Sequence, residues 1–126
     1  MKKNRSSKSW VIKQHRDPFY KKSKILGYRS RSAFKLLELN KKFKFILKNT
    51  NLLDVGSTPG GWSQIASSII KDGKIVAIDK KPMQELKNVI FFENDFLEEE
   101  VKDKILEVFQ KKIDVIISDM AADTTG

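Results

Sequence analysis

Four short apolar runs recur along the chain: Leu52–Val55 (LLDV), Lys74–Asp79 (KIVAID), Asn88–Phe92 (NVIFF) and Ile113–Asp119 (IDVIISD). Runs of this length, bounded by turn residues, are the pattern of strands buried on both faces of a parallel sheet. Between them the period changes. Trp62–Ile70 places Ile65, Ala66, Ile69 and Ile70 on one helical face, and Glu98–Gln110 does the same with Val101, Ile105, Leu106, Val108 and Phe109. Asp72-Gly73 supplies a turn. Upstream, Asp17-Pro18 reads as a helix start, with the helix running to about Leu26 and ended by Gly27. Ser30 or Ser32 is expected to cap a second helix through about Phe45, with Ala33, Leu36, Leu37 and Asn40 on one side. Strands alternating with helices predict an α/β fold with a parallel sheet and right-handed crossovers. No internal repeat or low-complexity segment is evident.

Composition narrows the setting. A chain of 126 residues holds at most one domain with a modest core. It has no cysteine, which excludes disulfides and thiolate metal sites and suits a reducing, cytoplasmic location. Its single histidine, His15, rules out a multi-histidine metal site, so no metal is expected. No apolar run approaches the ~20 residues of a membrane span, and the basic N-terminus lacks the apolar stretch of a secretory signal.

The net charge of +9 is unevenly placed. Residues 1–48 carry sixteen of the 25 lysines and arginines but only Asp17 and Glu38 of the 16 acids, leaving the remainder acidic. A polyanion is the natural partner: nucleic acid first, an anionic membrane surface second. A charge run alone is equally consistent with a solvated face. Trp10, Phe19, Tyr20, Tyr28 and Phe34 interleave with this one, favouring an ordered RNA-contacting surface. Residues 1–48 are therefore expected to form a basic, helical N-terminal extension that contacts RNA, with a mobile polar start at Met1–Ser9. Residues 49–126 are expected to form the cofactor-binding part, for the reasons that follow.

The chemistry centres on Asn51–Gln64, NLLDVGSTPGGWSQ. A strand, a turn with three glycines and a proline, and a helix bring backbone N–H groups toward a ligand. The spacing Gly56-x-x-x-Gly60-Gly61 is neither the dinucleotide fingerprint nor a P-loop, which argues against a nicotinamide oxidoreductase. Asp54 would repel a pyrophosphate but accept hydrogen bonds from an amino group. A cationic ligand with an adenosine part fits better, and S-adenosylmethionine is such a ligand. Asp54, Asp79 and Asp119 all fall at strand ends, and Asp95 follows another, on the edge where open α/β sheets bind ligands. Any one of them could be a turn or cap residue; four on one rim with a glycine-rich turn is a stronger signal. Asp79, 23 residues after Gly56, suits a carboxylate taking two ribose hydroxyls. Lys35 lies off the apolar stripe of its helix, between Arg31 and Glu38, the position of an ordinary surface lysine. Ser57 and Ser63 are not triad nucleophiles, since His15 has no place beside them.

The segments LLDVGSTPGGWSQ, IVAIDKKPM, NDF and ISDMAADTTG, in that order and preceded by RSSKSWVIKQHRDPFYKKSKILGYRSRSAFKLLEL, closely resemble the FtsJ-type (RlmE) methyltransferases. That resemblance implies a Rossmann-like methyltransferase fold and transfer of the S-adenosylmethionine methyl group to the 2′-oxygen of a uridine ribose in 23S RNA of the large ribosomal subunit, by an enzyme that is a monomer when complete. Carried over by position, it puts Gly60 and Trp62 beside the cofactor, Asp79 at its ribose, Asp95 at the adenine amino group and Asp119 near its methionine part and the reacting methyl. It makes Lys35 the first lysine of a Lys-Asp-Lys-Glu catalytic set, with Lys35 and Asp119 orienting and tuning the second lysine, which acts as base. Trp62 can also serve as a packing aromatic, Asp54 is expected at the cofactor's amino end or at water, and Met83 is expected to pack.

The family pattern continues beyond S-D-M-A-x-x-x-[ST]-G with further strands, the second lysine and the glutamate. The resemblance therefore implies a fold truncated after its fourth strand, inactive in methyl transfer by itself. The edge of Ile113–Ser118 is then expected to be bare, an aggregation hazard, and Asp123 adds a negative charge to the loop beside the site. Two rival readings are a non-catalytic RNA-binding module with a relic cofactor site, and a 2′-O-methyltransferase acting on transfer or messenger RNA.

Overall fold

The computed structural model describes residues 18–119. The expectations for Met1–Ser9, Trp10 and Asp123 lie outside that range. Proline pre-sets a helical φ and lacks an N–H that the first turn could not bond; α1 accordingly starts at its proline and spans Pro18–Leu26. Gly27 ends it at φ 77, a left-handed conformation that glycine adopts without steric cost.

Helix α2 spans Ser32–Phe43. Neither serine caps it. Arg31 occupies the N-cap without a side-chain cap bond, and the Ser30 and Ser32 hydroxyls bond one another at 2.7 Å. The helix also stops two residues short of Phe45. Lys44 turns left-handed (φ 50), its N–H reaching the Asn40 carbonyl. The Asn40 side chain then clamps Ile46 from both sides: its Oδ1 accepts from the Ile46 N–H at 2.8 Å, and its Nδ2 donates to the Ile46 carbonyl at 3.2 Å. Asn40 thus sits on the apolar stripe as the device that ends the helix.

The remaining elements alternate as expected, with boundaries within two residues of expectation: β1 Leu52–Val55, α3 Gly61–Ile69, β2 Ile75–Asp79, β3 Val89–Glu93, α4 Glu99–Val108 and β4 Val115–Ser118. The strands form one parallel sheet in the order β3-β2-β1-β4. Side chains alternate across it. Leu52, Ile75 and Ile117 pack with Ala33 and Leu36 of α2 and with Trp62, Ile65 and Ala66 of α3. On the other face Leu53, Val76 and Ile78 pack with Val101 and Ile105 of α4 and with Phe109 just beyond it. The central strands are buried on both sides, which is why their sequences read as continuous apolar runs. β4 pairs with β1 alone among the described strands, and its Ile116 is 62% exposed.

Asn51 sets the strand starts level. Its Oδ1 accepts from the Lys74 N–H, its Nδ2 donates to the Lys112 carbonyl, and its own N–H bonds Asp114 Oδ2. Level starts in a parallel sheet mean level carboxyl ends, where the acids lie. At the opposite edge Gly73 packs so closely on residue 50 that a Cβ would strike the Thr50 backbone carbonyl. Backbone has little room to give, so Gly73→Ala is expected to destabilise the fold by about 3 kcal/mol. Urea unfolding would show this as a lower midpoint at constant slope; an unchanged midpoint would mean that the turn yields freely.

Candidate functional site

The parallel topology carries all four acids to one edge. Asp54 is the third residue of β1, Asp79 the last of β2, Asp95 follows β3 by two residues, and Asp119 follows β4 directly. Between β1 and α3 the chain turns at Gly56 (φ 74), whose N–H, with that of Ser57, bonds the Ile78 carbonyl at the end of β2. Asp79 holds the same loop from its other side. Its Oδ2 accepts from the Thr58 N–H at 2.9 Å and its Oδ1 from the Lys81 N–H at 3.0 Å. The Thr58 hydroxyl donates to the Lys81 carbonyl.

A further tie comes from the N-terminal segment. The Arg29 guanidinium donates to the carbonyls of Pro59 (3.1 Å), Gln84 (2.7 Å) and Glu85 (2.8 Å), bridging the loops that follow β1 and β2. Gln64 of α3 fixes the approach, accepting from the Arg29 N–H and donating to the Gly27 carbonyl. Gly60 (φ 110) lets this arginine pass: a Cβ there would meet the Arg29 side chain and the Met83 sulfur. Met83 is therefore a packing residue at this point.

Two cavities open beside the loop and share Gly56. One, of about 230 Å³, is lined by Ser30, Ser32, Asp54, Ser57, Thr58, Pro59, Gly61, Trp62 and Asp119. The other, of about 310 Å³, is lined by Val55, Ile78, Asp79, Lys80, Asn94, Asp95, Phe96 and Leu97. Asp54 and Asp119 thus meet at the first, Asp79 and Asp95 at the second. Gly60 lines neither of these two. Trp62 packs as expected, 8% exposed within the core cluster, lines the first cavity, and donates its indole N–H to the Ser32 carbonyl at 2.8 Å.

Asp54 is 1% exposed, and its Oδ2 accepts from the Ser63 hydroxyl at 2.7 Å. Burial pushes its carboxyl up to about 6, against the Ser63 hydrogen bond and with help from the charges of Asp119 and Asp79. Ser57 is 6% exposed, and its hydroxyl has no hydrogen-bond partner among the described residues. Asp95 spends one oxygen on the Leu97 N–H and faces Lys80 at 3.8 Å with the other.

Lys35 stands apart, on the exposed side of α2, in a separate cavity of about 230 Å³ with Arg31, Ser32, Phe34 and Glu38. Ser32 lines both this cavity and that of Asp54 and Asp119. Sequence reasoning missed Arg29 and the buried, unpartnered hydroxyl of Ser57. Arg29 was one basic residue among many, and its three carbonyl partners have no side-chain signature. Among the described residues no group of three or more His, Cys, Asp or Glu side chains is placed to hold a metal, and no helix is long and apolar enough to cross a membrane.

Residues 28–126 match the family model of the FtsJ-like methyltransferases. The ribosomal RNA large subunit methyltransferase E of Pelagibacter ubique is 47% identical over 126 residues, covering 100% of this chain and 62% of the relative. Its namesakes in Rickettsia akari and Bartonella quintana are 42% and 43% identical, over 58% and 52% of their own lengths. The chain thus spans about three fifths of the length of the first of these relatives and less of the others. A Plasmodium falciparum protein whose structure is described as that of a ribosomal RNA methyltransferase superposes with a TM-score of 0.65 at 39% identity, covering 75% of this chain and 57% of that one. By sequence and by fold, the chain belongs to the FtsJ-like methyltransferase family.

Proposed function

We propose that this protein serves S-adenosylmethionine-dependent methylation of a uridine 2′-oxygen in the 23S RNA of the large ribosomal subunit. The observation that carries the proposal is the pair of acid-lined cavities meeting at Gly56. The orphaned Ser57 hydroxyl and the buried Asp54 carboxyl suit a ligand with polar groups and positive charge. In this reading Asp79 takes the ribose hydroxyls of the cofactor and Asp95 the adenine amino group. Asp54 and Asp119 face its cationic amino-acid end, Trp62 forms the wall, and Gly60 sets the path of the loop. The bound cofactor supplies a methyl group already activated on a sulfonium. The chain's own residues position: the rigid loop between Asp79 and Arg29 fixes one reactant, and Lys35 with Asp119 orients the incoming ribose hydroxyl. A ribose hydroxyl is a poor nucleophile until a base draws its proton away, and the resemblance assigns that step to the family's second lysine.

The RNA surface is assigned to residues 1–48. Lys22 lies 5.7 Å over the Phe34 ring, which meets Tyr28 edge-on at 5.2 Å, giving a basic and aromatic surface next to Lys35. The division from 49–126 is one of role rather than packing, because Ala33 and Leu36 share a core with Ile65 and Ala66. Such an enzyme works as a monomer in the cytoplasm, a setting that the lack of cysteine suits.

Calorimetric titration with S-adenosylmethionine tests the cofactor reading, with saturable binding expected. RNA affinity is expected to fall steeply with salt, each neutralised phosphate adding roughly 0.7–0.9 to the log–log slope. A flat response would remove the nucleic-acid reading. RNA binding by a folded chain that ignores S-adenosylmethionine would favour a plain RNA-binding module. Preference for transfer or messenger RNA over large-subunit RNA would move the substrate.

A further inference from the structure

We propose that the amino-terminal edge of the sheet, opposite the Gly56 cavities, is a second RNA surface that grips phosphates of a segment other than the one carrying the target ribose; this rests on the RNA reading above. A partition of charge at residue 48 hides this edge, because its lysines come from both sides of that boundary. The connections leading into β1, β2 and β4 (residues 44–51, 70–74 and 109–114) hold Lys44, Lys48, Lys71, Lys74, Lys111 and Lys112 against two acids, Asp72 and Asp114. The fold ties the three connections together. The Lys48 carbonyl accepts from the N–H groups of Lys71 and Asp72, and the Asn51 side chain bonds the backbone of Lys74 and Lys112. The four residues of β1, at about 3.3 Å each, hold this edge at least about 13 Å from the opposite one.

Helices α2, α3 and α4 end at this edge, and a cation near a helix C-terminus is favourable in itself. Lys74 serves that purpose, its Nζ donating to the Val108 carbonyl at the end of α4. The other five lysines are exposed, and among the described residues none of them forms an ion pair. Asp114 turns to the Asn51 N–H instead. Lys44 and Lys111 stand in left-handed backbone, at φ 50 and 63, where glycine is the unstrained choice. Stability alone favours glycine at both positions; lysine keeps a charge there. Beside them Phe43 is 62% exposed with Lys42 Nζ 5.3 Å over its ring, which offers a base a face to stack on. Unpaired cations around an exposed aromatic suit a nucleic-acid backbone held without regard to sequence. A membrane surface fits less well, since it needs a broad apolar face to insert, and here only Phe43 and Leu47 are large, apolar and exposed.

The test compares two triple variants with the same change in net charge: Lys48→Gln, Lys71→Gln and Lys112→Gln at this edge, and Lys87→Gln, Lys102→Gln and Lys104→Gln away from it. On transcribed large-subunit RNA the first set is expected to reduce the log–log salt slope by roughly 2–3 and the affinity by more than about tenfold, and the second to cost less than about twofold. Equal losses, or no loss from the first set, overturn the proposal, because charge would then act at large or elsewhere. The absence of cysteine allows a second measurement. Lys71→Cys and Glu38→Cys, the latter beside Lys35, each tagged with a photo-crosslinker, are expected to capture different nucleotides of that RNA. Capture of the same nucleotides, or of none from position 71, overturns the second segment. Phosphatidylserine vesicles that bind wild type but not the first set, with RNA binding equal in both, would reassign the edge to a membrane. A wild type that binds no large-subunit RNA would remove the RNA reading itself, an outcome distinct from a wild type that binds and variants that do not differ.

Discussion

Asp79→Ala is expected to abolish S-adenosylmethionine binding, with an affinity loss above about a hundredfold. The size of the effect follows from what the carboxylate does before any ligand arrives. Its two oxygens accept the N–H groups of Thr58 and Lys81, one in the glycine-rich loop and one in the loop after β2. Removing both acceptors strands two backbone donors, at about 1–3 kcal/mol each where they are buried, and frees the loop that forms the walls of both cavities. The ribose contact proposed for Asp79 is lost in addition. Asp79→Asn should recover little, since its amide turns a donor toward one of the two N–H groups. Asp95→Ala separates ligand contact from loop architecture: among the described residues its side chain reaches only Leu97 and Lys80, so its loss should weaken binding about tenfold while the melting temperature holds. Calorimetry with thermal unfolding on the same samples decides it. Full affinity in folded Asp79→Ala would move the nucleoside end out of this cavity.

Much of this arrangement was legible in the order of residues, and the reason is the sheet. A strand buried on both faces is apolar but for rare charged positions such as Asp54, which is why LLDV and IVAID read as strands, and a parallel sheet must end its strands on one edge. Asp54, Asp79, Asp95 and Asp119 therefore shared a rim in the sequence before they did in space. Local choices settled by distant partners were not legible. Serine at positions 30 and 32 suits a cap equally well, yet the Trp62 indole bonds the Ser32 carbonyl and Gly61 lies against the Ser30 side chain, and these contacts set the entry to α2. Arg29 reaches carbonyls 30 to 56 positions away, and carbonyls are the same in every residue. Ser57 looked like one more small residue in a turn. Its burial is a property of the cavity, which no window of sequence contains.

Asp54 should make stability fall with pH in a window where most acids have the opposite effect. Its carboxyl is raised to about 6 from an ordinary value of 3.8, because burial disfavours the charged form and Asp119 and Asp79 add repulsion. A raised folded value means that the native state holds the proton more tightly than the unfolded chain. Its stabilising contribution is therefore full below about pH 4 and is lost as pH rises toward 6, by about 3 kcal/mol in all. Asp54→Asn keeps an oxygen that can accept from the Ser63 hydroxyl and removes the charge. The variant should match wild type near pH 4 and exceed it above pH 6, with the gap opening between. Urea unfolding of both chains from pH 4 to 8 reads this directly, and parallel curves would mean that Asp54 is solvated. The same carboxyl links protons to the ligand. A cationic group placed beside Asp54 stabilises the ionised form and pulls its value back down, so binding below pH 6 releases a proton. Affinity for S-adenosylmethionine should rise with pH up to about 6 and then level off, and Asp54→Asn should flatten that profile while lowering its plateau. A neutral ligand in the same cavity would leave the profile flat in both proteins, which makes the pH dependence a direct reading of the charge on the bound ligand.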